Sequence, residues 1–165
     1  MADKTLIERL QPSLLDRLTD DDPGNPRENR DSRVIDLTRL RDIVQRDLSW
    51  LLNTTNIENT FDAEMYPRVS DSVLNYGLGV VSGEYSSERR AELIRRAIAK
   101  AITKHEPRIV EGSVDVILRP DNNSNDMTVD LEIHADMWAQ PTPMELYLRS
   151  SVDVVSGEVN VERRG

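Results

Sequence analysis

Met127-Thr128-Val129-Asp130-Leu131-Glu132-Ile133-His134-Ala135-Asp136-Met137 alternates apolar and polar side chains without a fault. Successive side chains of a strand point to opposite faces, so this stretch predicts a β-strand with one dry and one wet face. The same period extends in both directions. Upstream, Val110, Gly112, Val114, Val116 and Leu118 alternate with Glu111, Ser113, Asp115 and Arg119, with Ile117 the one breach. A polar loop, Pro120 to Asp126, separates the two runs. Downstream, Met144, Leu146, Leu148, Val152 and Val154 fall on one face of a third strand, and Ser156-Gly157 turns the chain into a short strand over Val159 to Val161. Strands with one wet face form antiparallel sheets whose other face is covered, here by helices. The predicted fold class is α+β, with N-terminal helices on one face of a mostly antiparallel C-terminal sheet.

Before Pro107 the period is helical. Ile94, Ala97, Ile98, Ala101 and Ile102 form a buried stripe, Ser86 and Ser87 offer caps, and Glu88 suits the first turn. Pro107 ends this helix by Glu106, because the residue before a proline is pushed out of helical geometry. Ile57 to Tyr85 is mixed, with a turn at Tyr66-Pro67, a helical turn over Val73 to Tyr76, and loops at Gly77, Gly79 and Gly83. An earlier helix, Arg33 to Leu52 with Ser32 as cap, carries Leu37, Leu40, Val44, Leu48 and Leu51 on one face and Asp36, Arg39, Asp42, Arg46 and Asp47 on the other. Asn53-Thr54-Thr55-Asn56 closes it, asparagine tolerating the left-handed conformation there. Thr19 to Arg30, with Asp20-Asp21-Asp22-Pro23-Gly24, reads as a linker. Ahead of it, Leu6, Leu10, Leu14 and Leu18 recur every four residues, interrupted by Pro12. The expected organisation is an arm and linker over 1–30 and a single domain over 31–165.

With 165 residues, 38% of them apolar, one core is the expectation. The charge is uneven. Residues 1–108 hold 19 acidic and 17 basic side chains, and residues 109–165 hold 11 and 4, so a net of −2 meets a net of −7. No lysine follows Lys104. Phosphate backbones require clustered cations, which excludes nucleic acid as the expected partner. The acidic last third is either a solvated sheet face or a docking surface for a basic partner. No apolar run approaches the roughly 20 residues of a membrane span. Asp3, Lys4, Glu8 and Arg9 leave no room for the apolar core of a secretory signal, and there is no cysteine. These features favour the cytoplasm without membrane insertion.

Catalytic residue patterns are scarce. His105 and His134 lie on different elements and outside any His-Glu-x-x-His spacing, no Gly-x-Ser-x-Gly occurs, and Gly77-Leu78-Gly79 does not continue as a phosphate loop. No catalytic, cofactor or metal site is predicted. A glycosidase needs only two carboxylates, and Glu64, Glu84, Glu106 and Glu132 form the pool for that alternative, a peptidoglycan hydrolase. Against it stand 4% aromatic residues, with Trp50 and Trp138 the two tryptophans. Glu106-Pro107-Arg108 is the segment that asks for explanation. A carboxylate at a helix C-terminus is unfavourable by about 0.3–1 kcal/mol unless a cation pairs with it. The two readings are a helix stop with a local ion pair, and a corner that displays opposite charges for recognition.

In order along the chain, Ser13-Leu14-Leu15-Asp16-Arg17-Leu18, the acidic linker, Arg46-Asp47-Leu48-Ser49-Trp50-Leu51-Leu52-Asn53-Thr54 and His105-Glu106-Pro107-Arg108-Ile109 resemble one family. It is that of the type VI secretion baseplate subunit TssE, related to the contractile-phage wedge protein labelled gene-25-like lysozyme. The resemblance runs over nearly the whole chain, and Glu-Pro-Arg between helix and strand is its most specific element. It implies a non-catalytic part of a cytoplasmic baseplate, beside the wedge subunits TssF and TssG and near TssK and the VgrG hub. It implies a sheet edge on which the sheath subunits TssB and TssC begin to assemble, with Glu106, Pro107 and Arg108 at the sheath contact. The late strands, Met144 to Val161, could provide such an edge, though the sequence does not say which edge of the sheet is open. The arm's Leu14, Leu15, Arg17 and Leu18 suit a groove on a wedge partner.

Overall fold

The strongest helix signal in the sequence yields the longest helix among the described residues. A computed structural model describes residues 13–19, 23–24, 37–79, 87–119, 128–138 and 143–163. Helix α4, Ser87–His105, buries Ile94, Ile98, Ala101 and Ile102, while Ala97 is half-buried. A fully buried isoleucine such as Ile98 contributes about 1.5–3 kcal/mol. Glu92 accepts from Arg95 at 2.8 Å and Arg96 at 2.7 Å, one helical turn on. Those hydrogen bonds hold its carboxyl down to about 2. Lys104 lies in the last turn, where a cation suits the helix dipole.

By contact pattern the chain divides into two units, Met1–Val44 and Gln45–Gly165, and the division falls inside helix α2, Leu37–Leu52. The predicted start of α2 at Arg33, with its cap Ser32, lies outside the described residues, as do most of the linker and the arm before Ser13. In the first unit, the short helix α1, Leu14–Leu18, has Ser13 as its cap and buries no residue. Leu40, Ile43 and Val44 of α2 are buried. In the second unit, α2 contributes Leu48, Leu51 and Leu52, all buried.

Asn53 ends α2 differently from expectation. No non-glycine residue among those described has positive φ, so Asn53 is not left-handed. Its side chain does the work instead, as shown below. The segment after it includes a 3-10 turn, Glu58–Thr60, a short helix α3, Pro67–Ser70, and a second 3-10 turn, Val73–Asn75. Tyr66-Pro67 therefore begins a helix, with proline in the first turn where it has no N–H to lose. Leu78 N–H donates to Thr54 C=O at 2.7 Å, and Asn56 N–H to Leu78 C=O at 2.9 Å. The chain passes so close there that a Cβ on Gly77, at φ +115, would lie 2.1 Å from Thr54 O.

Strands β1, Asp115–Leu118, β2, Thr128–Met137, β3, Met144–Asp153, and β4, Val159–Arg163, form an antiparallel meander in that order. Leu131, Ile133, Ala135 and Met137 of β2 are buried, as are Leu146, Leu148 and Val152 of β3, Val116 of β1, and Val159 and Val161 of β4. Ser150 is the polar exception on this face, buried with no hydrogen-bond partner for its hydroxyl among the described residues. The α+β class and the strand periodicity are as the sequence predicts.

The first strand is shorter than its alternation suggests. Ile109 makes an isolated bridge to Met137, and Glu111-Gly112 then turns out of the ladder with Gly112 at φ +79. The hydroxyl of Ser113 accepts the Asp136 N–H at 3.0 Å, replacing a strand partner. Pairing resumes only at Asp115. Ile117, the breach in the pattern, is correspondingly exposed.

Candidate protein-interaction site

Three elements of the second unit converge where α4 hands over to the sheet. Pro107 stops the helix, and Glu106 N–H still donates to Ile102 C=O at 3.0 Å. Arg108 then folds back over Glu106. Its Nε donates to Oε1 at 2.7 Å, its Nη2 to Oε2 at 2.5 Å, and its backbone N–H to Oε1 at 3.0 Å. Nη2 also donates to Asp47 Oδ2 of α2 at 2.7 Å. Such a planar fork on two carboxylates is the geometry for which arginine is suited and lysine is not. Burial alone would pull the guanidinium down, but the hydrogen bonds and charge of Glu106, and then of Asp47, hold it above the ordinary arginine range.

The network spreads through α2. Arg46 pairs with Asp47 at 2.7 Å and lies over the Trp50 ring, 4.6 Å from its centroid. The phenol of Tyr76 is raised by burial first, then by the charges of Asp47 and Glu106. Its ring meets His105 edge-on, with centroids 5.4 Å apart. The corner is also tied to the sheet: Trp138 N–H donates to Arg108 C=O at 2.7 Å, and Val110 N–H to Asp136 C=O at 2.8 Å.

This geometry corrects one expectation. Glu106 is not displayed, because its side chain is only 5% exposed and Arg108 occupies both of its oxygens. A carboxylate at a helix C-terminus is tolerable here since a cation two residues on neutralises it. Pro107 is exposed and the Arg108 side chain is 28% exposed, so these two form the outward part of the triplet. Asp47, which the sequence places on the solvated side of α2, is the residue sequence reasoning missed. The available signal was its position next to buried Leu48, on the margin of the apolar face.

The sheet's rim answers a question the sequence left open. β3 is an interior strand, paired on both sides. The free side of β4 meets the amide side chains of Gln45 in α2 and of Asn53 just past its end. Asn53 Oδ1 accepts from Val159 N–H at 2.9 Å, and Asn53 Nδ2 donates to Val159 C=O at 2.7 Å. Gln45 Nε2 donates to Val161 C=O at 3.0 Å. Side-chain amides thus imitate a neighbouring strand along part of this edge. On the opposite rim, Val116 C=O of β1 meets Arg95 Nη1 at 3.4 Å, a long contact.

Within the first unit, Leu14, Leu15 and Leu18 are 72%, 50% and 75% exposed, and Arg17 is exposed with them. The carboxylates of the hydrolase alternative do not share one environment. Glu106 is held by Arg108, Glu132 pairs with Arg119 at 2.9 Å, and Glu64 sits on an exposed turn. Glu84 lies outside the described residues. His134 packs edge-on against Tyr147, centroids 4.8 Å apart. Among the described residues no group of three or more His, Asp or Glu side chains could hold a metal ion, and no helix is long and apolar enough to cross a membrane.

An α+β domain with a locked helix-to-strand corner and an amide-covered rim has the character of an assembly module. The comparison with known families agrees: the model of the baseplate wedge protein gp25 family matches residues 38–142, 105 of the 165 residues. The chain belongs to that family, and its role is that of a structural component of a baseplate, assembling with other baseplate parts. No curated protein and no solved structure matches it.

Proposed function

We propose that this chain is the TssE-type subunit of a type VI secretion baseplate, joining the wedge to the contractile sheath and starting sheath polymerisation. In this reading it acts without catalysis on the cytoplasmic side, with TssF and TssG as direct partners and TssK and the VgrG hub nearby. Residues 1–30 form the arm, and Leu14, Leu15, Arg17 and Leu18 contact the wedge. Three leucines on a helix that buries nothing support a role outside the chain's own core. Residues 31–165 form the domain whose corner, Glu106, Pro107 and Arg108, meets the sheath subunits TssB and TssC.

The observation that carries this reading is the construction of the corner. Glu106 and Asp47 fix Arg108 from inside, so Pro107 and the outer edge of the guanidinium are held in one orientation. A partner that docks on a preorganised group spends less free energy on ordering it. A sheath strand that joins the sheet meets β1, unless Gln45 and Asn53 first release β4.

The test is complementation of a strain lacking the native gene, with a fluorescent sheath subunit and with fold verified by circular dichroism. Glu106→Ala combined with Arg108→Ala, and separately Pro107→Ala, should give baseplate foci without extended sheaths. Sheaths of normal length and number on a folded double variant would remove the corner from the sheath contact.

A further inference from the structure

The face of the sheet opposite the core carries its charge in two different ways. Alternation places Ile117, Glu132, Arg149 and Glu162 in one cross-strand row. Arg119 Nε pairs with Glu132 at 2.9 Å beside that row. Here the strands supply both signs and neutralise themselves. Towards the other end, Asp136 of β2 stands directly opposite Glu145 of β3, and the neighbouring row is Asp115, His134 and Tyr147. Like charges directly opposed on one face destabilise a sheet. Neither Asp136 nor Glu145 has a cation within salt-bridge distance among the described residues.

This uncompensated pair is bordered by exposed rings. Tyr147 is 41% exposed, and its phenol is raised by a hydrogen bond to Glu145 first, then by desolvation and the charges of Glu145 and Asp136. One residue past β2, the alternation carries Trp138 to the face of Asp136, where it is 58% exposed. Its backbone is fixed by the bond to Arg108 C=O.

We propose that this end of the sheet is a docking surface for an arginine-bearing segment of a partner protein, whose guanidinium stacks on Trp138 and pairs with Asp136 and Glu145. A guanidinium is the side chain that satisfies a ring face and a carboxylate at once. Charge complementarity selects a cationic protein segment and opposes a phosphate backbone. The surface adjoins the Glu106–Arg108 corner through the Trp138–Arg108 backbone bond, uses none of that triplet's side chains, and does not depend on the sheath reading.

The experiment uses the full chain, isotope-labelled for NMR, with two capped peptides as probes at physiological salt: Gly-Arg-Gly-Arg-Gly and Gly-Lys-Gly-Lys-Gly. The arginine peptide should shift the Trp138 indole N–H and the amides of Asp136, Glu145 and Tyr147, saturably, leaving Arg149 and Glu162 in place. The lysine peptide should bind several-fold more weakly, because its compact ammonium stacks poorly. Asp136→Asn with Glu145→Gln should weaken binding about tenfold, the loss of two charge partners, while Glu162→Gln leaves it unchanged. Trp138→Ala should weaken arginine binding and erase the preference over lysine. Shifts spread evenly over all the carboxylates, equal affinity for both peptides, or a tighter saturable response to calcium chloride at the same residues would each overturn the proposal.

Discussion

Removing the Glu106 carboxylate should loosen the whole corner, and the size of the effect follows from what Arg108 loses. Glu106→Ala deletes both oxygens that receive Arg108 Nε, Nη2 and backbone N–H, leaving the guanidinium with Asp47 alone. Breaking a fully buried pair costs about 3–5 kcal/mol. Because the Arg108 side chain is 28% exposed, water replaces part of the lost interaction, and about 2–3 kcal/mol is expected. For a chain of this length 1 kcal/mol shifts Tm by about 2–4 °C, so the variant should melt about 4–12 °C lower. Urea titration of Glu106→Ala, Asp47→Ala and the double variant gives the coupling between the two carboxylates through Arg108. That coupling should survive 1 M salt, since a shielded pair is screened little. A Glu106→Ala protein within 0.5 kcal/mol of the parent would refute the idea that this ion pair holds the corner.

His105 is held below its usual value, by burial first and by the Lys104 charge second, with an opposing hydrogen bond to the Asn75 backbone. The unfolded chain therefore takes up the proton first. Stability from this group should be complete above pH 6.5 and fall as the pH drops below it, a slope that His105→Gln removes from urea midpoints. Asn53→Ala should expose the Val159 amide, speeding its hydrogen exchange relative to other β4 amides and costing about 1–3 kcal/mol. Ser150→Ala should raise stability by about 1 kcal/mol in thermal melts, because it removes a buried hydroxyl that has no partner among the described residues.

Periodicity made the sheet legible before any coordinates. The faultless alternation corresponds over 128–137 to β2, and Ile94 to Ile102 to the buried stripe of α4. What periodicity concealed was a glycine at positive φ and a serine that stands in for a strand neighbour, and these two shorten β1. The triplet at the corner stood out in the sequence because proline and a misplaced carboxylate are local signals. The corner's fourth residue was harder to read: Asp47 and Arg108 are 61 residues apart, and nothing short-range links them. The amides on β4 were hidden for the same reason, since Asn53 looked like an ordinary helix end while its partner lies 106 residues away.

That long reach has a kinetic meaning. The carboxamides of Gln45 and Asn53 find their partners only after residues 159 and 161 have been synthesised, so the C-terminal half of α2 emerges long before the strand it buttons down. Pairings between remote residues form late in folding. Until then, both the helix and the first three strands leave apolar surface open to other chains. The subunit's most vulnerable interval should fall between translation of Leu52 and translation of Val161.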